Sequence, residues 1–115
     1  QVKLAEVAVQ NGDVLTARKV LRRLLIDVPD DAGVLNNLAW LMRDTPADRA
    51  DAIQLARRAV GAAPTMAEAW DPLAELYFLE GRQAEALHAI EKAISVGGDE
   101  VDKFMARRER ILQVD

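Results

Sequence analysis

Asn36 and Asn37 set two carboxamides side by side. Each offers N–H donors and a carbonyl acceptor, the functions needed to hold a peptide backbone. Glu68, Asp71 and Glu75 recur at three- and four-residue spacing. On a helix they share one face, and such a face favours a basic segment in a partner. Arg18, Lys19, Arg22, Arg23, Arg57 and Arg58 form a basic stripe. A nucleic-acid or anionic-membrane surface is conceivable there, but no aromatic interleaving offers a stacking platform. The formal net charge of −4 also argues against nucleic acid, and solvated helix faces account for the arginines. Catalysis has little footing. His88 is the one histidine and there is no cysteine. No Ser-His-Asp set, metal-ligand spacing or phosphate loop is present, and Gly97-Gly98 reads as a helix stop. No enzyme activity, catalytic residue, metal or cofactor is expected.

These side chains need elements to position them. Apolar residues recur at three- and four-residue spacings throughout, which is the helical period. No segment alternates with period two. Seven helices are expected. The first covers about 2–10 and stops at Asn11-Gly12. Asp13 caps the second, which runs to about Asp27, before Pro29. Asp30 or Asp31 opens the third, to about Arg43. Thr45-Pro46 opens the fourth, to about Ala62. Thr65 caps the fifth, which ends at Gly81. The sixth covers about 82–96 and the seventh about 100–113. Connections this short force antiparallel neighbours.

A longer period overlies the helical one. Ala17, Ala52 and Ala86 are separated by 35 and 34 residues. Leu4-Ala5, Leu38-Ala39 and Leu73-Ala74 keep step, as do Pro29, Pro64 and Gly98. A period of about 20–50 residues marks a stacked repeat, whose single units are too small to bury their own apolar faces. Small residues in facing helices let the axes approach closely. Val101, Phe104, Met105, Ile111 and Leu112 form one apolar stripe on the seventh helix. Arg107, Arg108 and Arg110 stand there where a further repeat would need packing residues. That helix is expected to cap the stack, with an amphipathic partner-binding helix as the alternative.

The third unit reads Trp70-x-x-Leu73-Ala74-x-x-Tyr77, then Gly81, Ala86, Ile90 and Ala93. This pattern resembles the tetratricopeptide repeat. Ala74 replaces the family's glycine, Ile90 its phenylalanine and Gly98 its closing proline. The second unit keeps Leu35, Leu38-Ala39, Met42, Ala52, Ala59 and Pro64, with one residue inserted near 44–51. The first keeps Leu4-Ala5, Ala8, Gly12, Ala17, Leu21, Leu24 and Pro29. The resemblance implies an all-α fold, an α-α superhelix of antiparallel hairpins. Three repeats would cover about 1–30, 31–64 and 65–98, followed by a capping helix over 99–115.

The family's first helices line a concave groove that binds a peptide or helix. By resemblance the groove presents Lys3, Glu6, Val9 and Gln10, then Asn36, Asn37, Trp40, Arg43 and Asp44, then Glu68, Asp71, Glu75 and Phe78. Trp40 lies off the packing frame. It either anchors a partner or is buried between hairpins. Asn36 and Asn37 either meet a partner or bond within the stack. Members that bind chaperone tails use a clamp of basic and asparagine side chains. Asn37 fits one clamp position, but Glu68 and Pro72 stand where basic residues are required, which excludes that mode. Pro72 implies either a bend near Asp71 or a helix that begins there.

The expected role is noncatalytic protein–protein interaction with a protein or peptide partner. The alternative is a structural or oligomerising segment of a longer array, self-associating through its N-terminal end. The chain opens on Gln1, already in a helical pattern, and is expected to be part of a longer polypeptide. The repeat style resembles bacterial proteins. No apolar run reaches the roughly 20 residues that span a bilayer. A soluble protein of cytoplasm or periplasm is expected, with the choice open.

Overall fold

The computed structural model describes residues 14–27 and 30–113. The expected first helix, the Asp13 cap and the groove residues Lys3, Glu6, Val9 and Gln10 lie outside them. The described residues form six α-helices and no strand. α1 is Val14–Asp27, α2 Ala32–Leu41, α3 Arg49–Ala62, α4 Ala67–Leu79, α5 Gln83–Val96 and α6 Val101–Leu112. Each packs on the next in chain order, and α2 also touches α4. This is an α-α superhelix in which α2 and α4 line one side.

Local chemistry sets the helix ends. Asp31 opens α2, its Oδ1 accepting from the Val34 N–H at 3.0 Å. At Thr45-Pro46 the chain makes a 3₁₀ turn, Pro46–Asp48, before α3 begins at Arg49. Thr65 does not cap α4. Met66 holds the N-cap place, without a side-chain bond. The far end of α4 closes on Gly81, at φ 74°. Arg82 N–H donates to the Tyr77 carbonyl at 2.8 Å and Gly81 N–H to that of Phe78 at 3.0 Å. This double closure needs a left-handed residue, which glycine supplies without a Cβ clash.

The repeating small residues are where the helices meet. Ala17, Ala39, Ala52, Ala74 and Ala86 are all fully buried. They bring α2 against α3 and α4 against α5 at close range. Leu21, Leu35, Leu38, Met42, Leu76 and Ile90 fill the space between units. α6 lies on α5 and buries Phe104 and Ile111 completely, worth about 1.5–3 kcal/mol each. The expected stripe is only partly buried, because Met105 and Leu112 stay exposed.

Pro72 lies inside α4, which runs unbroken from Ala67. The helix does not begin at Asp71. Proline has no N–H, so the Glu68 carbonyl loses its helical donor. The Asn36 side chain of α2 takes that place, its Nδ2 donating to the Glu68 carbonyl at 3.3 Å. A neighbouring helix thus satisfies the group that the proline leaves open.

Candidate functional site

α2, α4 and α6 together wall a cleft of about 220 Å³. Asn36, Asn37 and Trp40 come from α2, Glu68, Asp71 and Pro72 from α4, and Lys103 from α6. Five of the residues expected in the groove are therefore brought together. The helical repeat explains their convergence, since positions 36–37 and 40 share a face of α2, and 68 with 71 a face of α4.

The carboxylates are not the open acidic face expected from their spacing. Glu68 is exposed, but Asp71 and Glu75 are only 5% and 8% exposed. α6 supplies their partners. The Arg107 guanidinium ion-pairs with Asp71 and donates to Glu75 Oε1 at 2.8 Å. A second bond runs from Arg107 Nη2 to Asp71 Oδ2 at 3.1 Å. Arg110 also pairs with Glu75, and Lys103 Nζ lies 3.7 Å from Asp71. The basic segment that this patch attracts is thus the chain's own last helix. Charge cannot be buried without such partners, so the pairing is what allows two carboxylates to sit here.

The aromatic side chains carry cations as well. Trp40 is half-buried, with the Arg43 guanidinium 3.9 Å and that of Arg107 5.8 Å from its ring centre. Phe78 is half-buried and lies 4.6 Å below the Arg110 guanidinium. Such contacts are attractive through the ring quadrupole. Arg43 is further committed, because its Nη1 donates to the Trp40 carbonyl at 2.7 Å. Arg49 Nε donates to the Arg43 carbonyl at 2.7 Å. The Trp40 carbonyl also accepts from the Arg43 backbone N–H at 3.3 Å, so Arg43 reinforces the end of α2 and Arg49 answers the carbonyl just beyond it. Asp44 is exposed beside Arg43.

Within the cleft, Asn36 is held by Glu68 as described, while its Oδ1 is buried without a hydrogen-bond partner. Asn37 is half-buried, and Lys103 is 54% exposed at its side chain. Pro72, expected where a clamp would need a basic residue, lines the cleft. Lys103 lines it too, and Arg107 and Arg110 pair the carboxylates beside it, although the sequence put none of these three in the groove. One signal existed. Lys103, Arg107 and Arg110 follow four- and three-residue spacing, the counterpart of the acidic set on α4.

A second cleft of about 440 Å³ lies between α3, α4 and α5. Arg57, Trp70, Tyr77, Glu85 and His88 are among its walls. Trp70 Nε1 donates to the Pro64 carbonyl at 2.9 Å. Nearby, Arg82 is raised above its ordinary pKa by its side-chain hydrogen bond to Glu85. Among the described residues, no group of three His, Cys, Asp or Glu side chains could hold a metal ion. Nor is any of their helices long and apolar enough to cross a membrane.

No family model and no curated protein sequence matches the chain. Solved structures do. An O-GlcNAc transferase mutant of Thermobaculum terrenum superposes with a TM-score of 0.89 at 23% identity, over 96% of this chain. The chain spans 21% of that protein's length. The type III secretion translocator chaperone SycD of Yersinia enterocolitica gives a TM-score of 0.84 at 19% identity. That match covers 96% of this chain and 80% of the chaperone. These likenesses support a tetratricopeptide-like helical-repeat fold.

Proposed function

We infer that this chain is a noncatalytic protein-interaction module that holds a peptide or helix of a partner in the cleft between α2, α4 and α6. The observation that carries the reading is the convergence of Asn37, Trp40, Glu68 and Lys103 on one cleft. An amide meets backbone groups, an indole covers an apolar side chain, and opposite charges at the rim select orientation. Asp71 and Glu75 are already answered by arginines. A basic residue in the partner is therefore favoured at one place only, beside the exposed Glu68. The likeness to a translocator chaperone over most of that protein's length supports a protein as partner.

A peptide array identifies a binding segment, and titration calorimetry then measures it against variants. Asn37→Ala and Glu68→Lys change cleft residues that do not fill the core. Each is expected to weaken binding about tenfold, as loss of one interfacial hydrogen bond or one charge complement does. Trp40→Ala is expected to lose more. Binding that survives all three changes would place the partner elsewhere.

A further inference from the structure

Every large apolar side chain that the described residues leave exposed lies toward one of the two ends of the described stack. Leu15 and Ile26 on α1 are 70% and 76% exposed. Val96 at the close of α5, with Met105 and Leu112 on α6, forms the other group. α1 packs on α2, and α6 on α5, so these two helices end the described stack.

The α1 residues belong to a pattern. Leu15, Lys19, Arg22 and Ile26 follow one another at four, three and four residues, which puts them on one helix face. All four are exposed, and neither cation forms an ion pair among the described residues. Terminal position does not explain this exposure. One repeat later Leu15 corresponds to Ala50, and two later to Ala84. Ile26 corresponds to Gly61 and Ser95. All four counterparts are exposed too, although upstream units precede them. The stack leaves these positions in water, and only α1 fills them with large apolar groups.

The α6 face is the counterpart in charge. Asp102, Met105, Glu109 and Leu112 are spaced three, four and three, and all are exposed. Thirty-four residues earlier stand Glu68, Asp71, Glu75 and Phe78 on α4. α6 covers three of these four, Asp71, Glu75 and Phe78, with Lys103, Arg107 and Arg110. The fold already contains one basic helix seated on an acidic and apolar face, and α6 repeats that face outward, uncovered.

We propose that the Leu15–Lys19–Arg22–Ile26 face of α1 docks on the Asp102–Met105–Glu109–Leu112 face of α6 in a second copy of this chain. Two cations meet two carboxylates, and two apolar side chains meet two. The faces differ and lie on the first and last described helices, so the contact is heterologous and runs head to tail. One helix on one helix falls below the about 1,200 Å² of a standard interface, so the association is weak and salt-sensitive.

Sedimentation across a micromolar-to-millimolar series tests this, with circular dichroism confirming that each variant keeps its helices. The wild-type mass is expected to rise with concentration and to fall back with added salt. Lys19→Glu/Arg22→Glu and Asp102→Lys/Glu109→Lys are each expected to weaken self-association about tenfold or more, since attraction becomes repulsion. Leu15→Gln/Ile26→Gln should do the same without altering charge. The two charge variants mixed in equal amounts are expected to regain association, since the intact faces match and the two reversed faces, now acidic on α1 and basic on α6, match as well. A monomer at every concentration overturns the proposal. So does association that survives either reversal, or a mixture that stays monomeric. Capture of another protein's basic helix by α6, without self-association, overturns it as well.

Discussion

Replacing Arg107 with leucine tests whether α6 is held to α4 by charge. The side chain is 14% exposed, and the Asp71 and Glu75 side chains 7% and 10%. Its removal strands two carboxylates in a poorly hydrated place. Breaking a buried pair typically costs about 3–5 kcal/mol, and the lower end applies here because Arg110 and Lys103 remain nearby. For a urea slope of about 1–2 kcal/mol/M, a loss of about 3 kcal/mol moves the unfolding midpoint down by about 2 M. Asp71→Leu leaves Arg107 bonded to Glu75, so it should cost only about 1–2 kcal/mol. The double variant removes both charges and should cost about 2–3 kcal/mol, less than the two singles together. The coupling energy is then about 2 kcal/mol. Circular dichroism in urea measures all three, read as midpoint shifts at constant slope. Costs that add to within about 0.5 kcal/mol would refute the reasoning, because they would mean that water already screens the pair.

Three further outcomes follow from packing and backbone. Ala86→Leu should cost about 1–3 kcal/mol by forcing α4 and α5 apart, and an unchanged thermal melt would contradict that contact. Gly81→Ala should cost about 1 kcal/mol through its left-handed backbone alone, since a Cβ there meets nothing within 4 Å; a stabilised variant would contradict the closure. Asn36→Ala should cost about 1 kcal/mol in the native chain and almost nothing beside Pro72→Ala, where residue 72 again supplies the N–H to the Glu68 carbonyl. Equal costs in both backgrounds would show that the amide is not answering the proline.

The frame was legible because it depends on residues with few alternatives. Only a small side chain fits where two helix axes approach closely, so Ala52 and Ala86 mark their contacts by type and spacing alone. Gly81 and Gly97 mark stops because their φ angles of 74° and 86° suit no other residue well. Thr65 misled, since threonine is a good N-cap in general, yet the chain passes it and enters α4 from Met66. Pro72 was visible as a broken hydrogen bond. Its repair was not, because the donor lies 36 positions away on another helix and asparagine also suits a binding surface.

The charges show why the groove was harder to read than the frame. Spacing puts Glu68, Asp71 and Glu75 on one face but does not say what faces them. The exposed Glu68 and the buried Asp71 present the same local pattern. Arg107 seemed a sign that packing stops at α6, because arginine is seldom buried alone. Paired, it can be buried, with its aliphatic stem against the protein and its planar head on two carboxylates. That pairing adds something which Phe104 and Ile111 do not. Apolar burial holds α6 against α5 without fixing its direction, since the hydrophobic effect is non-directional. A guanidinium shared between Asp71 and Glu75 is satisfied only when one turn of α6 meets one turn of α4. The same turn sets Lys103 at the edge of the cleft. The acidic residues that first suggested a place for a partner therefore act within the chain, by fixing the wall against which a partner would rest.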